Sequence, residues 1–227
     1  MSPKDLHDDF QVEPVRGLPA RPPEGEHILW QGRPRWWGLA WRAFGLKWVL
    51  VYFAAISAWR GIDMWAQGAD SGAIVVGVGA LAVMGLLAAG VLAAMALSAA
   101  QATVYTITNR RVAMRIGVAL TVTLNLPFRW IGSAALKLHR DGTADLPLSL
   151  QGESKLSYLM LWPHAKPWEL KAPQPMLRAI PDGGRVAELL AAALRTAQTE
   201  RADAPAAAAP AAPAAPAAPA DARRVAA

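Results

Sequence analysis

The sequence predicts an α+β membrane protein: a two-helix transmembrane hairpin, then a small β-barrel or sandwich of about seven antiparallel strands capped by a C-terminal helix. Three observations lead there. No charged residue occurs from Ser71 to Asn109. From Thr103 the apolar residues alternate with period two, as in half-buried strands. Before an alanine–proline tail the spacing returns to that of an amphipathic helix.

The second span is the clearer one. "AIVVGVGALAVMGLLAAGVLAAMAL", within 73–98, is almost purely apolar, and at ~1.5 Å per residue it exceeds a ~30 Å hydrocarbon core. The first span, 46–65, reads "LKWVLVYFAAISAWRGIDMW". Its Arg60 and Asp63 stand three apart, so a helix brings them together as an ion pair. Trp48 and Trp65 lie near its ends, where aromatic anchors sit at both interfaces. Residues 66–72 form the connecting loop. Gly77, Gly85, Ala89 and Ala93 give the second helix a small-residue face for close contact.

Basic residues set the orientation. Arg33, Arg35, Arg42 and Lys47 precede the spans, and Arg110, Arg111 and Arg115 follow them, while the loop region carries Asp63 and Asp70 against Arg60. The positive-inside rule puts both termini and the β-domain in the cytoplasm and the loop in the periplasm. Five of the ten tryptophans lie between Trp30 and Trp48. In the segment 24–45 and the first turn of the span, Trp36, Trp37, Trp41 and Trp48 interleave with the cations. This pattern beside a span reads as a membrane-interface belt in contact with lipid headgroups, in preference to a single-strand nucleic-acid surface; no nucleic-acid partner is expected.

The β-domain occupies 103–200. "RVAMRIG" points Val112, Met114 and Ile116 to one face, and "LTVTLNL" does the same with Leu120, Val122, Leu124 and Leu126. "TNRR" and Gly117 supply turns. Asp141-Gly142 is a hairpin signal between a strand near 131–138 and one near 144–150. Another strand reads Leu156, Tyr158, Met160, Trp162, which would put Trp162 in the core, and a last one lies near 176–180. With Asp182 as N-cap, Val186, Leu189, Leu190, Ala193 and Leu194 line one helix face. Segments 1–23 and 201–227 are polar, proline-bearing or of low complexity, and little order is expected in either.

Composition limits the chemistry. The chain of 227 residues carries a net charge of +6 and no cysteine. Disulfides, thiolate metal sites and cysteine nucleophiles are excluded. The four histidines are scattered, and no nucleophile or phosphate-loop motif occurs. No catalytic residue, metal site or cofactor is expected, and the chain reads as a non-enzyme.

Two motif groups carry a resemblance. "EGEHILWQGRP", a hairpin, and "YTITNRRV" resemble bacterial pleckstrin-homology (PH) membrane proteins, in which a two-helix hairpin precedes a PH-like β-domain. "LMLWPHAKPW" with "PQPMLRAIPD" is similar to the PuhB-type photosynthetic complex assembly proteins of purple bacteria. That likeness implies a helper that assembles reaction-centre and light-harvesting subunits, alone or with other assembly factors, in the bacterial inner membrane. Such proteins are sometimes described with three spans, but "LSYLMLW" has too few apolar residues to cross. A homodimer stays open. The alternative is a generic PH-domain membrane protein acting as a lipid- or protein-binding sensor.

The stiff loop Trp162, Pro163, His164, Lys166, Pro167 and Trp168 has two readings. A proline-braced loop with tryptophans loses little entropy on binding and suits protein docking. It equally suits a β-connection whose tryptophans cap the barrel. Arg110, Arg111 and Arg115 likewise read either as lipid contacts or as an orientation signal alone.

Overall fold

The computed structural model describes residues 17–18, 20–118, 121–151, 156–167, 169–170 and 172–203. The expected N-terminal segment up to Arg16, Leu120, Trp168 and the tail from Ala204 lie outside the described residues.

The chain enters through strand β1 (Ile28–Gly32) and a short helix α1 (Trp36–Arg42), then runs into α2 (Leu46–Ala66) and α3 (Ser71–Ala102). Gly45, at φ 70°, makes the elbow before α2; a glycine meets no steric penalty in that left-handed conformation. Asp70 caps α3 by accepting from the amides of Gly72 (2.7 Å) and Ala73 (3.2 Å). These are donors that the first turn of a helix leaves unpaired, so α3 begins at Ser71, two residues before the apolar run.

α2 and α3 pack against each other as an antiparallel pair. The Cα of Gly77 faces Met64, and that of Gly85 faces Phe53, so closely that a Cβ would sit 2.8 and 2.7 Å from them. The small-residue face expected on the second helix is in place at these two positions. Arg60 and Asp63 pair at 3.1 Å. Away from this seam the apolar side chains are exposed, among them Trp48 (67%), Trp65 (75%), Val76, Leu86 and Val91. Among the described residues, α3 is the helix that by itself is long and apolar enough to cross a membrane; α1 and α2, bent by 53°, meet that test as a broken pair.

Among the described residues, eight strands form two antiparallel sheets. β1, β2 (Val104–Thr108), β3 (Arg111–Ile116) and β4 (Val122–Pro127) form the first, in that order. In the second, β5 (Ile131–Ala134) and β6 (Lys137–Leu138) pair with β7 (Ala144–Leu150), and β8 (Met176–Ile180) pairs with β7 as well. The two sheets enclose Tyr105, Met114, Leu126, Leu146, Leu148 and Leu177, and α5 (Gly183–Asp203) closes the core with Val186, Leu190 and Ala193. The expected faces of β3 and α5 are those that are buried.

Three expectations are corrected. The segment from Tyr158 to Trp162 is not a strand: Tyr158–Leu161 is one helical turn, α4, and Trp162 is 44% exposed rather than core. The apolar alternation there is too short to outweigh Pro163, which cannot donate to a ladder. Second, residues 28–32, assigned to an interfacial segment, form β1 and pair with β2. Third, order begins before residue 24: Leu18 is buried, and Gly17 lies against Val104 so tightly that a Cβ would meet it at 2.6 Å.

Candidate functional site

The stretch "WPHAKP" is zipped along residues 174–176. The amide of Lys166 donates to the carbonyl of Gln174 (2.9 Å), that of Met176 to the carbonyl of His164 (2.8 Å), and Ala165 bridges to Pro175. A turn inherited from α4, with the His164 amide donating to the Leu161 carbonyl (2.6 Å), aims the imidazole inward. His164 is 1% exposed.

Its ring ends at the junction of α3 and β2. Nδ1 lies 2.6 Å from the Tyr105 hydroxyl, and Nε2 lies 3.1 Å from Thr103 Oγ1. Thr103 Oγ1 in turn donates to the Ala99 carbonyl (2.7 Å), and the Tyr105 oxygen accepts from the Arg178 amide (3.2 Å). With the ring proton on Nε2, each group donates or accepts in turn, and the network is satisfied. Burial, with the Arg178 charge adding to it, lowers the His164 pKa from 6.5 to about 3. Burial also raises the Tyr105 hydroxyl well above its ordinary range, against the opposing pull of Arg178. Both ring nitrogens are occupied, so the histidine is a structural strut between the last turn of α3, β2 and β8, and neither nitrogen is presented to a proton-transfer partner or metal. The rest of the loop divides. Pro163 is buried, Trp162 packs edge-on against Phe44 at the α1–α2 elbow (5.1 Å), and Lys166 reaches Glu169 at the surface (2.5 Å). Pro167 is exposed.

The residues assigned to a membrane interface separate into four places. Arg33, Arg35, Trp36, Trp37, Trp41, Lys47 and Trp48 are exposed around α1 and the start of α2, with Trp37 and Trp41 stacked at 5.2 Å. Arg42 turns inward, donating to Thr143 Oγ1 (2.7 Å) and pairing with Asp141 (3.1 Å). Against the opposing effect of partial burial, the Thr143 hydroxyl (2.7 Å) and amide (3.1 Å), which both donate to Asp141, and then Arg42 hold the Asp141 carboxyl below its usual range. Arg110 and Arg111 are carried to the turn between β2 and β3, away from α3. There Arg111 makes a two-pronged pair with Glu26 (2.8 and 3.0 Å). Arg115, on the same strand as Arg111, is returned by the register to a position opposite Val104, next to the end of α3, which makes a fourth place.

α1 is clamped from both sides. Gly38 approaches Ala179 so closely that a Cβ would meet the Ala179 methyl at 2.6 Å. The Arg35 amide donates to the Ala179 carbonyl (2.8 Å), and the Ala179 amide donates to Asp145 (2.8 Å). Ala179 adopts φ 49°, a left-handed conformation that costs a non-glycine residue about 1–2 kcal/mol. This is a bulge that turns β8 toward both partners.

Between α1, the start of α2 and strands β6–β8 lies a pocket of about 550 Å3 lined by Trp41, Arg42, Lys47, Lys137, Lys166 and Arg178, with Asp145. On the other side of the elbow an apolar cleft of similar volume lies between Phe44, Val91, Met95, Val118 and Trp162. The loop and the cation belt, read separately from the sequence, meet around this elbow. Arg178 and Asp145 were not foreseen; the excess charge of "MLRAI", one arginine in a short apolar strand, is the signal that could have marked the first.

Comparison with known proteins agrees with this architecture. Residues 69–194 match the family described as bacterial PH domain. A Rhodobacter capsulatus protein described as an "uncharacterized 23.7 kDa protein in puhA 5′ region" is 40% identical over 193 residues, covering 85% of this chain and 90% of that protein. A solved DUF1696 family protein with a pleckstrin-homology domain from Shewanella loihica PV-4 is 14% identical, over 40% of this chain and 68% of that one; its TM-score of 0.28 is too low to add to the family match. With 126 residues inside the family match and a relative at this identity over most of its length, the chain belongs to the bacterial PH domain family.

Proposed function

We propose that the protein is a non-catalytic inner-membrane assembly factor. In this reading α2 and α3 cross the bilayer as a hairpin, and both termini and the PH-like domain are cytoplasmic. The domain and hairpin together hold nascent reaction-centre and associated light-harvesting subunits during assembly. The observation that carries the scaffold part is the α1 clamp. Arg35, Gly38 and Arg42 fasten the entry to α2 onto β8 and the β6–β7 turn, so the domain has a set orientation relative to the apolar, outward-facing surface of the hairpin. A rigid join of this kind suits a protein that presents one surface to partners arriving in the membrane, because little freedom is lost on binding. The photosynthetic part is supported by the resemblance of "WPHAKPW" and "PMLRAIPD" to PuhB-type proteins, and by the description of the Rhodobacter capsulatus relative, which locates that protein in the puhA 5′ region.

The test is a deletion in a photosynthetic purple bacterium, combined with affinity purification of a tagged copy from its membranes. Reaction-centre absorbance should fall in the deletion strain, and reaction-centre subunits should co-purify with the tagged protein. Wild-type absorbance in the deletion strain, with no such subunit in the eluate, would sink the reading.

A further inference from the structure

We infer that the basic pocket between α1, the first turn of α2 and strands β6–β8 is a binding site for the phosphate headgroup of an anionic glycerophospholipid. The inference rests on the membrane placement proposed above and adds to it a specific ligand site.

The charge balance points to an anion. Arg42, Lys47, Lys137, Lys166 and Arg178 line the pocket, against one carboxylate, Asp145. That carboxylate is already engaged: it takes the Ala179 amide at 2.8 Å and the His139 imidazole at 2.9 Å. Two of the cations are partly offset at the rim, Arg42 by Asp141 and Lys166 by Glu169. Lys137 has no ion-pair partner among the described residues. Arg178 is the decisive group. It is 8% exposed, its Nη2 donates to the Ala165 carbonyl (3.2 Å), and its Nε finds no partner among the described residues. Burying a guanidinium with incomplete pairing is costly. An oxyanion in the pocket adds countercharge beside this guanidinium, whose enclosed Nε it need not reach.

Location selects the source of the phosphate. The mouth of the pocket is rimmed by Trp41 and Trp48, and Lys47 lies 5.1 Å above the Trp48 ring. From that rim the outward face of α2 continues as exposed Val51, Tyr52, Trp59 and Ile62. A ligand with its phosphate in the pocket therefore has an apolar helix surface leading away from it, on which acyl chains can lie. Soluble phosphate or an acidic peptide would use the charge and leave that surface unused. A volume of about 550 Å3 lies in the ordinary range for small-ligand sites.

The experiment uses the full chain, purified in a neutral detergent and embedded in nanodiscs. Short-chain phosphatidylglycerol, phosphatidylcholine, inorganic phosphate and a polyglutamate peptide are titrated in separate arms. Binding is read by native mass spectrometry and by Trp fluorescence. One phosphatidylglycerol should be retained per chain in preference to phosphatidylcholine. The Lys137→Glu, Lys166→Glu double variant, at two exposed or half-exposed positions, should weaken it about tenfold or more. Lys137→Gln gives the same direction if the double variant fails to fold. Equal retention of the two lipids, or unchanged affinity in a folded variant, overturns the site. Tighter binding of free phosphate or of the peptide overturns the lipid assignment. Flotation with neutral vesicles is scored separately: a chain that does not float refutes the membrane reading itself, whereas one that floats without selecting phosphatidylglycerol refutes only this site.

Discussion

The His164 imidazole and the Tyr105 hydroxyl meet at 2.6 Å in a fully buried position, joining the loop before β8 to the first strand after the helical pair. Tyr105→Phe leaves the histidine nitrogen and the Arg178 amide without their shared partner. A buried group so orphaned costs about 1–3 kcal/mol. Denaturant unfolding followed by near-ultraviolet circular dichroism should show a loss in that range; an unchanged midpoint would mean that the network adds no stability.

The same histidine sets a pH dependence. Its pKa falls from 6.5 to about 3 on folding, so between those values the unfolded chain binds a proton that the folded chain refuses. Stability from this group is fully present above pH 6.5 and is lost as the pH falls through the window toward 3, with a slope approaching 1.4 kcal/mol per unit. Melting temperature measured against pH should show this decline, and His164→Gln should flatten it. Tyr105, shifted upward, works in the opposite sense: its contribution declines as the solution becomes alkaline beyond the ordinary tyrosine range of about 10.

Arg42 offers a test of the clamp. Arg42→Ala removes the contacts to Thr143 and Asp141, a loss of about 1–2 kcal/mol for partly exposed partners. The specific outcome is faster proteolysis at the 43–46 elbow with an intact β-domain. Arg42→Lys should not restore the wild-type rate, because a single ammonium cannot hold both oxygens in the geometry of the fork.

Gly183 starts α5 directly beneath β7. A Cβ there would lie 2.0 Å from the Ala144 methyl and under 3 Å from Ala144 backbone atoms. Gly183→Ala should therefore destabilise the domain by about 1–3 kcal/mol, although alanine is the better helix former. Gly184→Ala, with open space around it, should be neutral or slightly stabilising. A difference in melting temperature between the two variants checks the contact.

A chain without cysteine is a clean background for topology mapping. Gln67→Cys, in the turn between α2 and α3, should react with an impermeant maleimide added to intact cells. Arg140→Cys, at the exposed β6–β7 turn, should react only after lysis. The reverse pattern would invert the proposed orientation.

Much of the architecture was legible because its patterns are long or strongly marked. The uncharged run gave α3, the Asp141-Gly142 turn gave the hairpin leading into β7, and the spacing of Val186, Leu190 and Ala193 gave α5. Short elements were harder. β1 is five residues inside a tryptophan-rich stretch whose composition outweighed its alternation, and its partner strand lies far along the chain, with Gln31 opposite Thr106. His164 sits between prolines in a polar-looking loop, and nothing local announces that its ring is swallowed by a tyrosine and a threonine about 60 positions earlier. The loop and the cation belt were each visible, but their meeting at one elbow depends on Ala179 turning left-handed, a tertiary choice that alanine does not advertise.

The pairing of β1 with β2 has a topological corollary. One strand comes before the helical pair and the other after it, yet they are hydrogen-bonded neighbours in one sheet. Whatever lies between must leave and return to the same compartment. Residues 33–103 are thus confined by parity to zero or two crossings, never one or three, and a domain expressed from Thr103 onward would lack a strand and bare the flank of β2 to aggregation.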